Sequence, residues 1–220
     1  MDEGRIGGLM VNLKCEKINK YYGNSQVLQN VSIECKSGEI TGIIGRNGAG
    51  KTVLFKALCG LISVDNGKIY INDEEKKSGQ MIKSAGIIIE EPAFLSNASG
   101  IRNLKYLYMI NKKVDSDYIA SIMKKVGLDP NSKKHVSKYS MGMRQRLAIA
   151  QAIMENPEVL ILDEPFNGLD NHGVEEMRLL LQDMKKEGKT ILVASHNADD
   201  IRILCDKVFQ MDGGVLTKVR

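Results

Sequence analysis

Hydrophobic and polar residues alternate in two stretches near the beginning of the chain. The apolar positions are Val11, Leu13 and Cys15 in the first stretch and Val31, Ile33 and Cys35 in the second. A period of two residues is typical of half-buried β-strands. The segment Glu39–Gly45 is instead short, continuous and β-branched, which predicts a strand buried on both faces. A further strand, Lys68–Ile71, is expected after the turn signal Asn66-Gly67.

The middle of the chain has the period of amphipathic helices. One apolar face comprises Ile101, Leu104, Leu107 and Tyr108, and the next comprises Ile119, Ile122, Met123 and Val126. The second of these helices should begin at Asp115 or Ser116, which are good N-caps, and end at Gly127. A third helix is expected from near Ser140 to a point before Pro157, because the residue preceding a proline avoids the helical region.

Strands and helices alternate in the last third of the chain. Buried strands are predicted at Glu158–Leu162 and Thr190–Ser195, and a helix over Val174–Lys186 lies between them. This alternation predicts an α/β fold with a parallel sheet covered by helices. We expect a single domain over residues 1–220, with a core formed by residues 1–91 and 143–220 and a helical subdomain inserted at residues 92–142.

The composition excludes several classes of protein. The 220 residues are 43% hydrophobic and 26% charged, unlike disordered or collagen-like chains. A net charge of +4 does not indicate a nucleic-acid-binding protein, and the basic stretch at 124–138 is expected to be a solvated surface. The four scattered cysteines form no CxxC pair, so reduced thiols are predicted and neither zinc nor disulfides. No apolar run approaches the ~20 residues of a membrane span, and the first residues lack an export signal, so an intracellular protein is expected.

A glycine-rich motif carries the first candidate chemistry. Residues 45–52, GRNGAGKT, match GxxxxGK[ST] between a predicted strand and a predicted helix. The glycines let backbone N–H groups point at phosphate oxygens, and the helix N-terminus adds positive potential. Lys51 is expected to bind the β- and γ-phosphates, and the Thr52 hydroxyl to bind Mg²⁺. The predicted triphosphate site comprises Gly45, Arg46, Asn47, Gly48, Ala49, Gly50, Lys51, Thr52 and Val53.

An acidic pair ends the buried strand in the segment VLILDE at 159–164. In open α/β sheets, ligands bind at the carboxyl ends of the strands. Asp163 is therefore expected to hold Mg²⁺, directly or through water, and Glu164 to activate the attacking water as a general base. A GTPase would carry NKxD, but here the sequence at 111–115 is NKKVD, with the aspartate one position late. A small-molecule kinase would not need NGLD so soon after the acidic pair.

Five motifs together resemble those of the ATP-binding cassette family. They are GRNGAGKT (45–52), YSMGMRQRLAIAQAI (139–153), VLILDEP (159–165), NGLD (167–170) and VASHN (193–197), in the order of that family. The resemblance covers nearly the whole chain. It implies a P-loop NTPase (RecA-like) core with a mainly parallel sheet, an N-terminal antiparallel β subdomain and an inserted α-helical subdomain.

The resemblance also implies roles for individual residues. Tyr22 would stack on adenine, although the adjacent Tyr21 could serve instead. The signature residues Ser140, Met141, Gly142 and Met143 would face the ATP of a partner subunit. Asp170 would couple the two sites of a dimer. His196 would contact the γ-phosphate and orient the water and Glu164, and Glu164, His196 and Lys51 would form the catalytic set.

The chain departs from the common pattern of the family in its signature, at position 90 and at position 53. The signature reads YSMGM where LSGGQ is commonest, so Met141 and Met143 replace small or amide-bearing side chains. Glu90 takes the place of a glutamine that binds Mg²⁺ and water, so it remains a candidate metal ligand beside Thr52 and Asp163. Val53 lacks the hydroxyl that many relatives place near the α-phosphate.

The resemblance implies an ATP-hydrolysing subunit of a transporter. It would act with ATP and Mg²⁺ as a homodimer, or as a heterodimer with a related cassette, and power a permease on another chain. It would lie in the cytoplasm, on the inner face of the membrane. The loops IEEP (89–92) and YSMGM resemble those of the bacitracin and lantibiotic subgroup of export and immunity proteins. Two alternatives stay open: a soluble cassette ATPase acting on nucleic acid or ribosomes, and a non-catalytic nucleotide sensor.

Overall fold

The computed structural model describes residues 11–77 and 79–220. The absence of an export signal was predicted chiefly from residues 1–10, which lie outside the described residues. The described strands in chain order are β1 Leu13–Tyr22, β2 Ser25–Cys35, β3 Ile40–Ile44, β4 Asn66–Ile71, β5 Glu74–Glu75, β6 Ala85–Ile88, β7 Val159–Asp163, β8 Thr190–Ser195, β9 Lys207–Asp212 and β10 Val215–Lys218. The helices are α1 Lys51–Cys59, α2 Gly100–Tyr108, α3 Ser116–Lys125, α4 Met141–Ile153, α5 Asn171–Lys186 and α6 Ala198–Leu204, with a 3₁₀ turn at Val136–Lys138.

Two sheets organise these strands. An antiparallel sheet has the order β2-β1-β4-β5, and a six-stranded sheet has the order β10-β9-β3-β8-β7-β6. Strands β9, β3, β8, β7 and β6 are mutually parallel, and β10 is antiparallel at the edge. Parallel strands need crossover connections, which α1, α4, α5 and α6 provide along the chain. The predicted α/β class and mainly parallel sheet are confirmed.

Alternate residues of the central strands enter two different cores. On β7, Val159 and Ile161 pack in the core shared with the antiparallel sheet and α1, whereas Leu160 and Leu162 pack with α4 and α5. The residues of β8 alternate between the same two cores, because successive side chains of a strand point to opposite faces of the sheet. Burial on both faces explains why these strands are continuously apolar in the sequence.

Two predicted boundaries were wrong. Asn66 and Gly67 were expected to form a turn, but they begin β4, where Gly67 faces two residues of β1 between the pairs Glu16–Lys68 and Asn19–Asn66. This two-against-one arrangement is a β-bulge in β1, where Lys17 has a positive φ of 49°, and Gly67 lies opposite it with φ 88°. Helix α5 begins at Asn171, three residues before the predicted start, because the Asp170 side chain caps it.

The helices α2 and α3 and the 3₁₀ turn lie between β6 and α4, within the region 92–142 that the sequence assigned to a helical insert. That division into subdomains stays a prediction. Among residues 11–77 and 79–220, no helix is long and apolar enough to cross a membrane. Cys15, Cys35, Cys59 and Cys205 are free and buried, and burial raises the pKa of each thiol to about 12.

Candidate nucleotide site at the ends of the central strands

The glycine-rich loop connects the end of β3 to the start of α1. The first N–H group to bond within this helix is that of Leu54, which donates to Gly50 O at 2.9 Å. The N–H groups of Lys51, Thr52 and Val53 precede it, as expected for orphan donors at a helix N-terminus. Gly50 has φ 109°, and a Cβ there would lie 2.9 Å from Val27 O, so the turn requires glycine. Arg46, Asn47 and Gly48 are exposed at the tip of the loop, and Ala49 is buried at its base.

Lys51 is almost completely buried at the base of the loop. Its ammonium donates to Gly45 O at 2.7 Å and to Arg46 O at 3.4 Å. The same Nζ lies 3.4 Å from Glu164 Oε1, within ion-pair distance. This lysine therefore joins the phosphate loop to the acidic end of β7.

Asp163 and Thr52 form a pair suited to a hard cation. The Thr52 hydroxyl donates to Asp163 Oδ2 at 2.5 Å, while Asp163 Oδ1 is buried without a hydrogen-bond partner among the described residues. Burial chiefly raises the pKa of Asp163, and the negative charges of Glu164 and Glu90 add to this effect. An orphaned carboxylate oxygen beside a hydroxyl fits Mg²⁺, which is usually bound through one or two carboxylates together with substrate phosphates. The described residues contain no cluster of three or more metal-ligating side chains, so the cation would be shared with the nucleotide.

Glu164 lies at the centre of the site, immediately after β7. Its Oε2 is 2.9 Å from His196 Nδ1 and accepts the Ser195 hydroxyl at 3.2 Å. Its backbone has φ 50°, a left-handed conformation that few non-glycine residues adopt, and its N–H donates to Ala194 O at 2.9 Å. The ends of β7 and β8 thus hold a carboxylate and an imidazole in direct contact, which is suited to orienting and deprotonating a water molecule.

Glu90 is bound to a lysine. It follows β6 with φ 63°, and its Oε1 lies 2.5 Å from Lys56 Nζ. Glu90, Thr52, Asp163 and Glu164 nevertheless line one cavity of about 230 Å³. Glu90 therefore lies at the predicted site, but the assignment of its carboxylate as a metal ligand stays a prediction.

The signature segment packs against the NGLD turn of the same chain. Ser140 caps α4 by accepting the Met143 N–H at 3.2 Å. A Cβ on Gly142 would lie 2.7 Å from Gly168 O, and a Cβ on Gly168 would lie 2.5 Å from Met141 Cγ. Both glycines are therefore required by close approach. Ser140 and Met141 remain exposed at the surface.

The last two predicted residues are also accessible. Asp170 is exposed and accepts the Gly173 N–H at 2.8 Å as the N-cap of α5. Tyr22 is 51% exposed at the end of β1, with Lys20 Nζ 5.6 Å from its ring centre. Tyr21 is exposed to a similar degree, so the structure leaves the choice between the two tyrosines open.

Comparison with known proteins identifies the family. Residues 28–167 match the ABC transporter family. The chain is 42% identical over 200 residues to the uncharacterized ABC transporter ATP-binding protein YybJ of Bacillus subtilis, covering 90% of this chain and 92% of that protein. The chain belongs to the ABC transporter family. It is an ATPase that binds and hydrolyses ATP as a subunit of a transporter, as the sequence predicted, and a nucleic-acid or ribosome function is not favoured.

Other ABC relatives are named for antimicrobial peptides. The bacitracin transport ATP-binding protein BcrA of Bacillus licheniformis is 40% identical over 203 residues, covering 89% of this chain and 65% of that protein. The lantibiotic transport ATP-binding protein SrtF of Streptococcus pyogenes is 37% identical over 205 residues, covering 93% and 89%. The predicted resemblance to this subgroup is confirmed.

Solved ABC cassettes confirm the fold. The structure of cbiO1 from Clostridium perfringens, part of the cbiONQ complex, has a TM-score of 0.79 at 33% identity and covers 93% of this chain and 86% of that one. A dimeric structure of MJ0796, a bacterial ABC transporter cassette, has a TM-score of 0.83 at 22% identity and covers 94% and 99%.

Sequence reasoning did not assign Lys56, Gln145 or Ser195 to this ABC site. Lys56 binds Glu90, and it lies four residues after Thr52, a spacing that places both on one face of α1. Gln145 donates through Nε2 to Pro165 O at 3.0 Å, tying the signature helix to the acidic end of β7. The helical spacing could have found Lys56, whereas nothing in the sequence relates Gln145 to Pro165.

Proposed function

We propose that this ATPase powers a separate membrane permease that exports an antimicrobial peptide or gives resistance to one. The relatives named for bacitracin and lantibiotic transport support this class of cargo. The chain would lie in the cytoplasm, on the inner face of the membrane, through contact with the permease. Because the described residues include no membrane-spanning helix, the transport path is assigned to another chain.

The observation that carries the mechanism is the contact of Glu164 with both Lys51 and His196. Glu164 accepts a proton from the attacking water, and His196 holds the carboxylate toward the γ-phosphate. Lys51 and the N–H groups at the start of α1 bind the β- and γ-phosphates as negative charge develops on them. Thr52 and Asp163 would hold Mg²⁺ together with the nucleotide, and the cation would supply positive charge against the phosphates. Glu90 is the third candidate ligand.

The signature is assigned to the ATP of a partner subunit. Ser140 and Met141 are exposed at the N-terminus of α4, where the helix dipole favours an anion, so a second chain could present its γ-phosphate there. The dimeric cassette with the same fold supports this arrangement. Tyr22 is assigned to adenine and Asp170 to contact between the two sites. The partner is a second copy of this chain or a related cassette.

Glu164→Gln tests the ATPase mechanism. The variant should bind Mg-ATP without hydrolysing it, and size-exclusion chromatography with light scattering should show a stable dimer. Lys51→Ala should abolish both turnover and the dimer, because the β- and γ-phosphates lose their cation. Glu187→Gln changes the same side chain at an exposed position near the end of α5 and should behave like the unmodified protein. A Glu164→Gln protein that remains monomeric while turning over ATP would contradict the proposal.

A growth assay tests the cargo. Cells that express the chain together with its permease should survive higher concentrations of bacitracin or a lantibiotic than cells expressing the permease with Glu164→Gln. Equal sensitivity to both compounds, with ATPase activity intact, would refute the cargo class and leave the ATPase assignment standing.

A further inference from the structure

An ion pair connects helix α1 to the loop after β6. Lys56 Nζ lies 2.5 Å from Glu90 Oε1, and the two side chains are 29% and 65% exposed. Glu90 is held in a left-handed conformation with φ 63°, which costs backbone energy that a compensating contact can offset. The lysine is therefore the contact that fixes the position of the carboxylate.

The pair is placed beside the predicted cation position. Thr52 and Lys56 are one helical turn apart on the same face of α1. Thr52 donates to Asp163 at the end of β7, while Lys56 binds Glu90 beyond the end of β6. Glu90 and Asp163 line the same cavity. One face of α1 thus directs the Thr52 hydroxyl to Asp163 and the Lys56 ammonium to Glu90.

The negative charge of the cavity explains why Glu90 needs the lysine. Glu90, Glu91, Asp163 and Glu164 line one cavity together with a single basic side chain, Arg144, while Lys51 forms an ion pair with Glu164. A neutral glutamine at position 90 would need no counter-charge, whereas a glutamate does. Lys56 neutralises Glu90, and a cation at Asp163 would compete with Lys56 for the same carboxylate.

We propose that Lys56 is a positioning residue that holds Glu90 away from the cation, so that metal–nucleotide binding must withdraw Glu90 from Lys56. This inference rests on the proposed nucleotide and Mg²⁺ site. Lys56 acts through Glu90 and is not itself assigned to substrate.

Binding of Mn²⁺ in the presence of ADP, measured by electron paramagnetic resonance titration, tests the competition without relying on activity. Lys56→Met should tighten Mn²⁺ binding about two- to five-fold, the range that corresponds to a partly exposed ion pair. In a Glu90→Gln background the same substitution should change the affinity much less, because the carboxylate is absent. Lys56→Arg should restore the original affinity.

A matched control and the contrary outcomes separate this inference from its premise. Lys207 Nζ pairs with Glu39 Oε2 at 2.6 Å, and the lysine is 25% exposed, a fraction close to that of Lys56. This pair lies at the amino ends of β9 and β3, away from the site, so Lys207→Met should leave Mn²⁺ affinity unchanged. An equal effect of Lys56→Met in both backgrounds, or no effect in either, would overturn the role of Lys56. Mn²⁺–ADP binding that is insensitive to Lys51→Ala and Asp163→Asn would instead refute the proposed site.

Discussion

Asp163 should lower the stability of the nucleotide-free protein. Its Oδ1 is buried without a partner among the described residues, and burial raises the pKa of the carboxyl above its ordinary value of 3.8. An asparagine at this position keeps an acceptor for the Thr52 hydroxyl and carries no charge. We therefore expect Asp163→Asn to stabilise the fold at neutral pH while abolishing Mg²⁺-dependent hydrolysis.

The direction and the magnitude of this change in stability follow from the contacts of Asp163. A group whose pKa is raised by folding binds protons more tightly in the native state, so stability falls as pH rises through the folded pKa. An unsatisfied buried polar group costs about 1–3 kcal/mol and a charged one costs more, and we take about 1 kcal/mol because Asp163 is only partly buried and Oδ2 keeps its hydrogen bond. For a domain of this length that corresponds to a rise in Tm of roughly 2–4 °C.

Urea denaturation without nucleotide, at about pH 7.5 and about pH 4.5, measures the effect. The stabilisation by Asp163→Asn should shrink at the lower pH, because the raised pKa of Asp163 favours the uncharged carboxyl of the native state in acid. Asp206 is the matched control: burial opposes its ionisation, but the Ile40 N–H at 2.8 Å and the Lys185 ammonium outweigh burial and lower its pKa. Asp206→Asn should destabilise the protein at neutral pH, with a smaller effect in acid. A neutral-pH loss of stability on Asp163→Asn would refute the reasoning.

Two further predictions concern the turn between β7 and α5. Gly168→Ala should lower the free energy of unfolding in urea by about 1–3 kcal/mol, because its φ is 75° and the new Cβ would meet Met141. Gly23→Ala, at φ 57° in open space, should lower it less. Equal losses of stability in the two variants would exclude the contact with Met141 as the cause. Asp170→Asn should keep the α5 cap and unfold within about 0.5 kcal/mol of the unmodified protein, whereas Asp170→Ala should lose about 1 kcal/mol. In light-scattering measurements of the Glu164→Gln protein with Mg-ATP, a weaker dimer for Asp170→Asn would support the coupling role, and an unchanged dimer would contradict it.

The buried parallel strands were the most predictable part of the fold. Strand β8 has its predicted bounds, Thr190–Ser195, because burial on both faces leaves a continuous apolar run that few other structures would produce. The phosphate loop was equally predictable, since the spacing of its glycines is fixed by backbone conformation. Asp163 and Glu164 could be placed because open parallel sheets gather functional side chains at the carboxyl ends of their strands.

Long-range side-chain pairing was not predictable in the same way. The partner of Glu90 is 34 residues earlier in the chain, and only the closure of α1 over the sheet brings Lys56 to it. The bulge opposite Gly67 depends on how β4 pairs with β1, about fifty residues earlier in the chain. Local turn propensity carries no information about that register. Local composition therefore fixes which elements form, whereas the exact partners of charged side chains depend on the assembled fold.

The signature and the NGLD turn are best understood as one packed unit. Gly142 lies against Gly168 O, and the Met141 side chain covers Gly168. Two residues later, the Asp170 side chain caps α5. Ser140 caps α4 in the same manner. Because Gly142 and Met141 pack directly on Gly168, two residues before the α5 cap, we expect a displacement of the α4 N-terminus to shift the start of α5. Methionine at position 141 covers Gly168 with side-chain atoms that a glycine would lack, so we expect a tighter connection here than the common signature allows.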